Sequence, residues 1–344
     1  MVRFSIEDLP PFPEDLHLAP IATISSARLQ ERDPTETARM IEACQTYGFF
    51  YLDLRDTKEG EQLLNDSEAL LELAKEVFAL PAEEKLQYHL KKGVSLFGYK
   101  APGTVKLTDP ERRPDSTEFF NIGKDLVQGL APGWPYPPAI TAARDPLLNG
   151  FTRRAHECGM LVLRTLARGL DLSDEEAFVR LNRFDMLSGD HCRLTRKFPH
   201  PSDKNAIGLP SHTDFGSVTI LFNWLGGLQI ESRTAGRVGQ WEWVKPMAGY
   251  AIINLGDAMV RFTNGALKSA KHRVVPSPGP QVELDRYSVV YFVRPHNEAL
   301  MQPLPEFANG THVKVGGKVS VDDDENKVYT AGEWMVKRSI QLGS

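Results

Sequence analysis

His212-Thr213-Asp214 sets an imidazole and a carboxylate two residues apart, just ahead of the apolar run Phe215 to Phe222. In extended chain such residues project to one face, so the two groups can converge on a single ion. Two ligands hold a metal weakly. His272, in Lys271-His272-Arg273-Val274-Val275, supplies a third donor at the head of another apparent strand. Two histidines and one carboxylate on one face of an octahedron leave three positions open, the arrangement used where iron(II) must bind a cosubstrate and dioxygen together. The same donors suit tetrahedral zinc, and among nine histidines one such triplet is close to what chance provides, so the residue types leave the metal open.

Arg286-Tyr287-Ser288 leads into Val289-Val290-Tyr291-Phe292-Val293. On a strand Arg286 and Ser288 share a face, which would aim a guanidinium fork and a hydroxyl into a barrel interior. A buried arginine is costly without an anion, and a ligand carboxylate gripped at two points would satisfy it. An internal Asp or Glu would serve as well, and the alternation can also run the other way and leave Arg286 in solvent. Cys44, Cys158 and Cys192 are odd in number and far apart, which suits reduced, incidental thiols.

The elements that must position these groups fall into two regions. Asp33-Pro34-Thr35-Glu36 reads as a helix start, and Gly48 ends that helix before a strand over Phe49 to Leu54. Leucine spacing predicts a second helix over Gly60 to Leu80. The stretch from Val94 to Pro138 reads as ordered loop, with strand-like pieces at Phe97 to Tyr99 and Glu118 to Phe120, and a third helix fits Leu148 to Leu170. Past about residue 180 short strands dominate: Val218 to Phe222, Gly227 to Ile230, Trp241 to Val244, Tyr250 to Leu255, His272 to Val275 and Tyr287 to Val293. A last helix is expected over Ala331 to Ile340, burying Trp334. The fold class expected is mainly β with flanking helices, around a jelly-roll core. Nothing resembles a nucleotide-binding glycine loop, and helices followed by strands argue against a doubly wound sheet.

Of 344 residues, 41% are hydrophobic and 25% charged, ordinary for a globular chain able to bury a sizeable core. The net charge of -5 comes from interspersed charges, which speaks against nucleic acid as a partner. No apolar run approaches a membrane span, and Met1 to Pro20 is acidic rather than signal-like, so a cytoplasmic protein is expected, with a monomer as the default.

Taken in order, several segments resemble the isopenicillin N synthase-like branch of the iron(II)/2-oxoglutarate-dependent dioxygenases. Leu209 to Leu221, containing His212-Thr213-Asp214, looks like the family's H-T-D stretch, and Gly226-Gly227-Leu228-Gln229-Ile230 like its G-G-L-Q strand. Asn254-Leu255-Gly256-Asp257, Thr263-Asn264-Gly265, Lys268-Ser269, His272-Arg273-Val274 and Arg286-x-Ser288 follow in the expected order. Tyr47-Gly48-Phe49-Phe50 and Phe97-Gly98-Tyr99 extend the likeness toward the amino terminus.

The resemblance implies a distorted double-stranded β-helix. Residues 1–140 would form a helix and strand region packed on a 141–344 core. It also implies His212, Asp214 and His272 as iron ligands, and Arg286 and Ser288 as the grip on the distal carboxylate of 2-oxoglutarate. With Fe(II), 2-oxoglutarate and O2, such an enzyme hydroxylates, desaturates or closes rings in a small organic molecule, often in specialised metabolism, and releases succinate and CO2. Many relatives carry Asn, His or Tyr where this chain has Arg196-Lys197 before Phe198-Pro199, so Lys197 becomes a candidate contact to 2-oxoglutarate, with a solvated basic turn as the alternative. Thr219 and Asn254 are candidate supports for the metal ligands, Asn254 rather as the shaper of the turn at Gly256-Asp257. Phe97, Tyr99, Phe119, Phe215, Met259 and Arg261 are candidate pocket residues. Two other readings remain: an iron oxidase on the same fold that uses no 2-oxoglutarate, and a non-catalytic or zinc-bound jelly roll.

Overall fold

A computed structural model describes residues 6–91, 95–104, 114–200, 202–203, 206–308 and 328–342. Val94 and positions 105–113 of the loop expected over Val94 to Pro138 lie outside these, as does the start of Met1 to Pro20. The described strands are β1 (Ala22–Ser25), β2 (Phe49–Asp53), β3 (Gly98–Lys100), β4 (Thr117–Gly123), β5 (His191–Lys197) and β6 (Leu209–His212). They continue with β7 (Val218–Asn223), β8 (Leu228–Glu231), β9 (Trp241–Trp243), β10 (Tyr250–Leu255), β11 (His272–Val274) and β12 (Arg286–Val293).

An eight-stranded sheet runs β1-β2-β10-β7-β12-β5-β4-β3, and a four-stranded sheet runs β6-β11-β8-β9. Side chains from both line one cavity, which makes the pair a distorted double-stranded β-helix. β1 to β4 come from the first 140 residues, yet they hydrogen-bond onto strands of the later region, β2 to β10 and β4 to β5.

On β12, Arg286, Ser288, Val290 and Phe292 face the cavity. Tyr287, Val289, Tyr291 and Val293 face an apolar layer shared with the long helices Lys58–Phe78 and Asn149–Gly169. The large sheet is therefore apolar toward its helices and partly polar toward the cavity. A smaller apolar cluster, including Phe49, Tyr51, Leu228, Ile230 and Ile252, closes one end between the sheets.

Local rules explain the helix limits. Asp33 accepts from the amides of Thr35 and Glu36 at 2.8 and 3.1 Å and starts helix Pro34–Thr46. Gly48 follows with φ of 70°, and a Cβ there would lie 2.1 Å from the Lys268 carbonyl, so only glycine lets β2 start against that segment. The second helix begins two residues earlier than its leucine spacing predicts, because Thr57 caps it through the Gly60 amide. The carboxy-terminal helix Ala331–Leu342 buries Trp334 edge-on to Phe215, beside the H-T-D segment. No described helix is long and apolar enough to cross a membrane.

Candidate active site

His212 is the last residue of β6 and His272 the first of β11, and the two are register partners in an antiparallel pair. Asp214 lies beyond β6 in the turn before β7, so His212-Thr213-Asp214 belongs to the end of its own strand rather than to the mouth of the Val218 strand. One potential ligand atom from each of His212, Asp214 and His272 lies within 4.8 Å of the others. The Nδ1 of His212 meets the Pro210 carbonyl at 2.8 Å, and the Nδ1 of His272 meets the Ala270 carbonyl at 3.2 Å. A carbonyl only accepts, so each Nδ1 carries the proton and each Nε2 offers its lone pair. These Nε2 atoms stand 3.8 and 3.9 Å from Asp214 Oδ1.

The other oxygen of Asp214 is fixed. Thr219 Oγ1 donates to Oδ2 at 2.7 Å and Asn254 Nδ2 at 2.8 Å. Asn254 thus holds the carboxylate directly instead of shaping the following turn. Burial first, and then the adjacent His272, push His212 down to about 4. Burial alone would raise Asp214, but His272, His212 and the two hydrogen bonds outweigh it and hold the carboxyl at about 2. His212 is thus a neutral donor and Asp214 a carboxylate near neutral pH, the forms that metal coordination requires. Replacing Asn254 with alanine is expected to weaken divalent-metal binding roughly tenfold or more through loss of this support. Competitive chelator titration checks this, and an unchanged affinity would count against it.

Thr213, between the two ligand candidates, donates to Asp257 at 3.0 Å, and Arg338 of the carboxy-terminal helix pairs with the same carboxylate. The segment is therefore tied to the end of the described chain as well as to the sheets.

A cavity of about 710 Å³ of empty volume extends from the three side chains between the sheets. Arg286 and Lys197 are register partners on β12 and β5, each 2% exposed, and both line it with Ser288. Arg286 Nε donates to the Gly226 carbonyl at 2.9 Å and Lys197 Nζ to the Phe198 carbonyl at 2.9 Å. Among the described residues no carboxylate forms an ion pair with either cation. Neighbouring Asp285 is engaged instead by Arg196 at 2.9 Å. Desolvation pushes Arg286 down to about 10. Burial, then the charge of Arg286, push Lys197 down to about 8 against the pull of Asp285. Two desolvated cations side by side form a site that an anion would relieve. Gly208 makes room for the Lys197 side chain, since a Cβ there would fall 2.7 Å from Lys197 Cδ.

Strand parity separates the basic pair. Lys197 faces the cavity, whereas Arg196 faces away and pairs with Asp285 and, at 3.6 Å, Glu118. A solvated turn is thereby excluded for Lys197.

A second cavity, of about 790 Å³ of empty volume, adjoins the first and shares Phe119, Arg193, His212, Asp214 and Phe292 with it. Of the expected pocket residues, Phe119 and Phe215 line it. Phe97 stands behind, edge-on to His191. Tyr99 is 2% exposed and donates to Glu118, Met259 lies wholly in the core, and Arg261 donates to the Met301 carbonyl, so these three are not among the lining residues. His191, Arg193 and Arg294 line the second cavity without having been singled out in the sequence. Their signal was available: His191, Arg193, Thr195 and Lys197 occupy every second position of β5, and Arg294 continues the series 286, 288, 290, 292 of β12. The three cysteines are unpaired, with Cys44 and Cys192 fully buried.

Residues 189–295 match the family model of the 2OG-Fe(II) oxygenase superfamily. Residues 19–137 match that of the non-haem dioxygenase in morphine synthesis N-terminal region. A 2-oxoglutarate-dependent dioxygenase of Aspergillus fumigatus is 34% identical over 314 residues, covering 86% of this chain and 80% of that protein. Another from Gibberella zeae is 36% identical over 282 residues, covering 81% of each. Among solved structures, a full-length Neurospora crassa protein in complex with alpha-KG superposes with a TM-score of 0.73 at 25% identity, covering 95% of this chain and 98% of that one. A 2OG-Fe(II) oxygenase family protein from Caulobacter crescentus gives 0.73 at 26% identity, covering 93% and 98%.

Proposed function

The chain belongs to the 2OG-Fe(II) oxygenase superfamily, whose enzymes use iron(II), 2-oxoglutarate and dioxygen, and we propose that its iron is held by His212, Asp214 and His272 and its 2-oxoglutarate by Arg286, Ser288 and Lys197. Its substrate is a small organic molecule of specialised metabolism, oxidised by hydroxylation, desaturation or ring formation. The match to a morphine-synthesis dioxygenase region supports this class, and the Neurospora crassa protein has been crystallised with alpha-KG and thymine, a small ring. On the same reading, residues 1–140 form a helix and strand region packed on a 141–344 oxygenase core, and the chain acts as a cytoplasmic monomer.

The observation that carries the assignment is the pair Arg286 and Lys197, buried with no ion-paired carboxylate among the described residues, in the cavity that also holds the three metal-ligand candidates. Iron(II), when bound, supplies dioxygen activation coupled to oxidative decarboxylation of the keto acid and oxidation of the substrate. The protein orients and shields. The Nδ1–H bonds to Pro210 and Ala270 fix both imidazoles in one tautomer, and Thr219 and Asn254 leave one oxygen of Asp214 to the metal. Arg286 and Lys197 neutralise the distal carboxylate of 2-oxoglutarate, while Leu221, Leu228, Val274 and Val290 keep water from its carbon chain.

Anaerobic titration with iron(II) and then 2-oxoglutarate tests the reading, followed by the weak visible charge-transfer band of the chelate. A saturable band is expected. No band despite bound iron would favour an oxidase that spares 2-oxoglutarate, and failure to bind iron would overturn the assignment.

Lys197 adds a pH dependence. Its charge is present below about 8, and the anion favours the charged form. The dissociation constant of 2-oxoglutarate should be flat on the acid side and rise by up to about tenfold per pH unit above that value. Lys197→Met should bind more weakly and lose most of the slope. An equal slope in both proteins would remove Lys197 from the site.

A further inference from the structure

The second cavity carries more positive charge than the chemistry above uses. Arg294 is 6% exposed, and its Nε and Nη1 meet no hydrogen-bond partner among the described residues. Its guanidinium carbon sits 4.0 Å from the centroid of the Phe215 ring and 5.6 Å from that of Phe292. Aromatic faces satisfy the plane of a guanidinium but not the N–H groups along its edge.

The carboxylates nearby are committed. Asp190 takes the Arg294 backbone amide at 2.7 Å, together with His156 and Tyr291. Asp214 is a metal-ligand candidate. Arg193 adds a second guanidinium to the same wall, 4.1 Å from the Phe119 centroid and 4.9 Å from that of Phe292, and its described side-chain hydrogen bond runs to neutral Asn121 at 2.7 Å. Unpaired buried cations are costly, so this wall suits an anion that the described residues do not supply.

His191 gives the wall a different function. Its Nδ1 meets the Gly189 carbonyl at 2.9 Å, which leaves Nε2 as a bare acceptor, and Nε2 has no partner among the described residues. The ring stacks on Phe292 at 4.6 Å.

We propose that the second cavity selects a small organic acid, its carboxylate on the edge of Arg294 with Arg193 alongside, and a hydroxyl or N–H of the same molecule on His191 Nε2. The planar fork of Arg294 matches a carboxylate at two points, and Phe119, Phe215 and Phe292 offer flat apolar surface for a ring or chain. Since His212 and Asp214 line the same cavity, such an acid would lie within reach of the metal centre. This inference names the substrate class of the oxygenase proposed above and rests on that reading.

The test uses the anaerobic iron(II) and 2-oxoglutarate complex, with its visible band recorded first. Calorimetric titration then compares acetate, benzoate, phenylacetate and 4-hydroxyphenylacetate with their primary amides. The larger acids are expected to bind, perturb the band without abolishing it, and exceed their amides by roughly 30- to 100-fold. Arg294→Gln should erase that preference and leave the 2-oxoglutarate titration unchanged, and Arg294→Lys should restore part of it. Losing an unpaired buried cation should not unfold the protein. A band with no carboxylate preference in the wild type, a preference that survives in Arg294→Gln, or acids that abolish the band by displacing 2-oxoglutarate would each overturn the inference. Absence of the band at the first step would instead strike the oxygenase reading.

Discussion

Replacing Arg286 with alanine is expected to raise the 2-oxoglutarate concentration for half-saturation by roughly a hundredfold or more, while iron(II) binds as before. The guanidinium is 2% exposed and, among the described residues, donates through Nε to the Gly226 carbonyl, which leaves its remaining edge to a carboxylate. Removing one partner of a desolvated, hydrogen-bonded charge pair costs about 2 to 5 kcal/mol, mostly because the other charge is left buried and unpaired. Lys197, directly opposite on β5, prevents the loss from being total, since a single cation still faces the anion. The double variant Arg286→Ala with Lys197→Met leaves no cation facing the anion, so it should lose more than the sum of the single losses if the two contact the same carboxylate. Titration of the visible band measures both terms. An Arg286→Ala protein with unaltered demand for 2-oxoglutarate would place the cosubstrate elsewhere or remove it from the reaction.

Arg286 and Ser288 were legible in the sequence as two polar residues sharing one face of an apolar strand, but the alternation alone left open which face meets the interior, and the family resemblance pointed to the choice. Lys197 sits in His191-Cys192-Arg193-Leu194-Thr195-Arg196-Lys197, whose alternation is just as regular, yet no strand was read there. The usual inference that polar positions face water fails for β5. Its polar face lines an internal cavity, and Cys192 and Leu194 pack in the layer shared with the helices. Arg196 shows the same inversion, because the basic residue on the outer face finds Asp285 and Glu118 instead of solvent. β6 was hidden for another reason: Leu209-Pro210-Ser211-His212 has neither alternation nor β-branched residues, and its extended state comes from pairing with β11. Thr219 and Asn254 were visible as candidates, but not as partners. They are opposite each other in the register of β7 and β10, which is what lets both reach one oxygen of Asp214, and register between distant strands is not written in either segment alone.

Asp214→Ala should lose iron(II) affinity and with it more than about a thousandfold in turnover, a defect that added 2-oxoglutarate does not rescue. Here the variant differs from Arg286→Ala in kind. Asp214 contributes the one formal charge of the three metal-ligand candidates, and the metal must be in place before the keto acid can chelate it, so both the iron titration and the visible band should disappear. The fold should survive, because Asp214 lies in the turn after β6 and not in the apolar layer of the large sheet. The cost falls on Thr219 and Asn254, whose donors lose their acceptor, a loss of about 1 to 3 kcal/mol at most sites of this kind. Thermal unfolding of the apo protein should shift by only a few degrees, while the shift that iron(II) produces in the wild type should vanish. His212→Ala serves as the control that keeps the carboxylate and its two donors, and it should show the same loss of metal with a smaller change in apo stability. Full turnover in either variant would sink the three-residue metal assignment, and retained iron with lost turnover in Asp214→Ala would move the carboxylate from ligand to a supporting role.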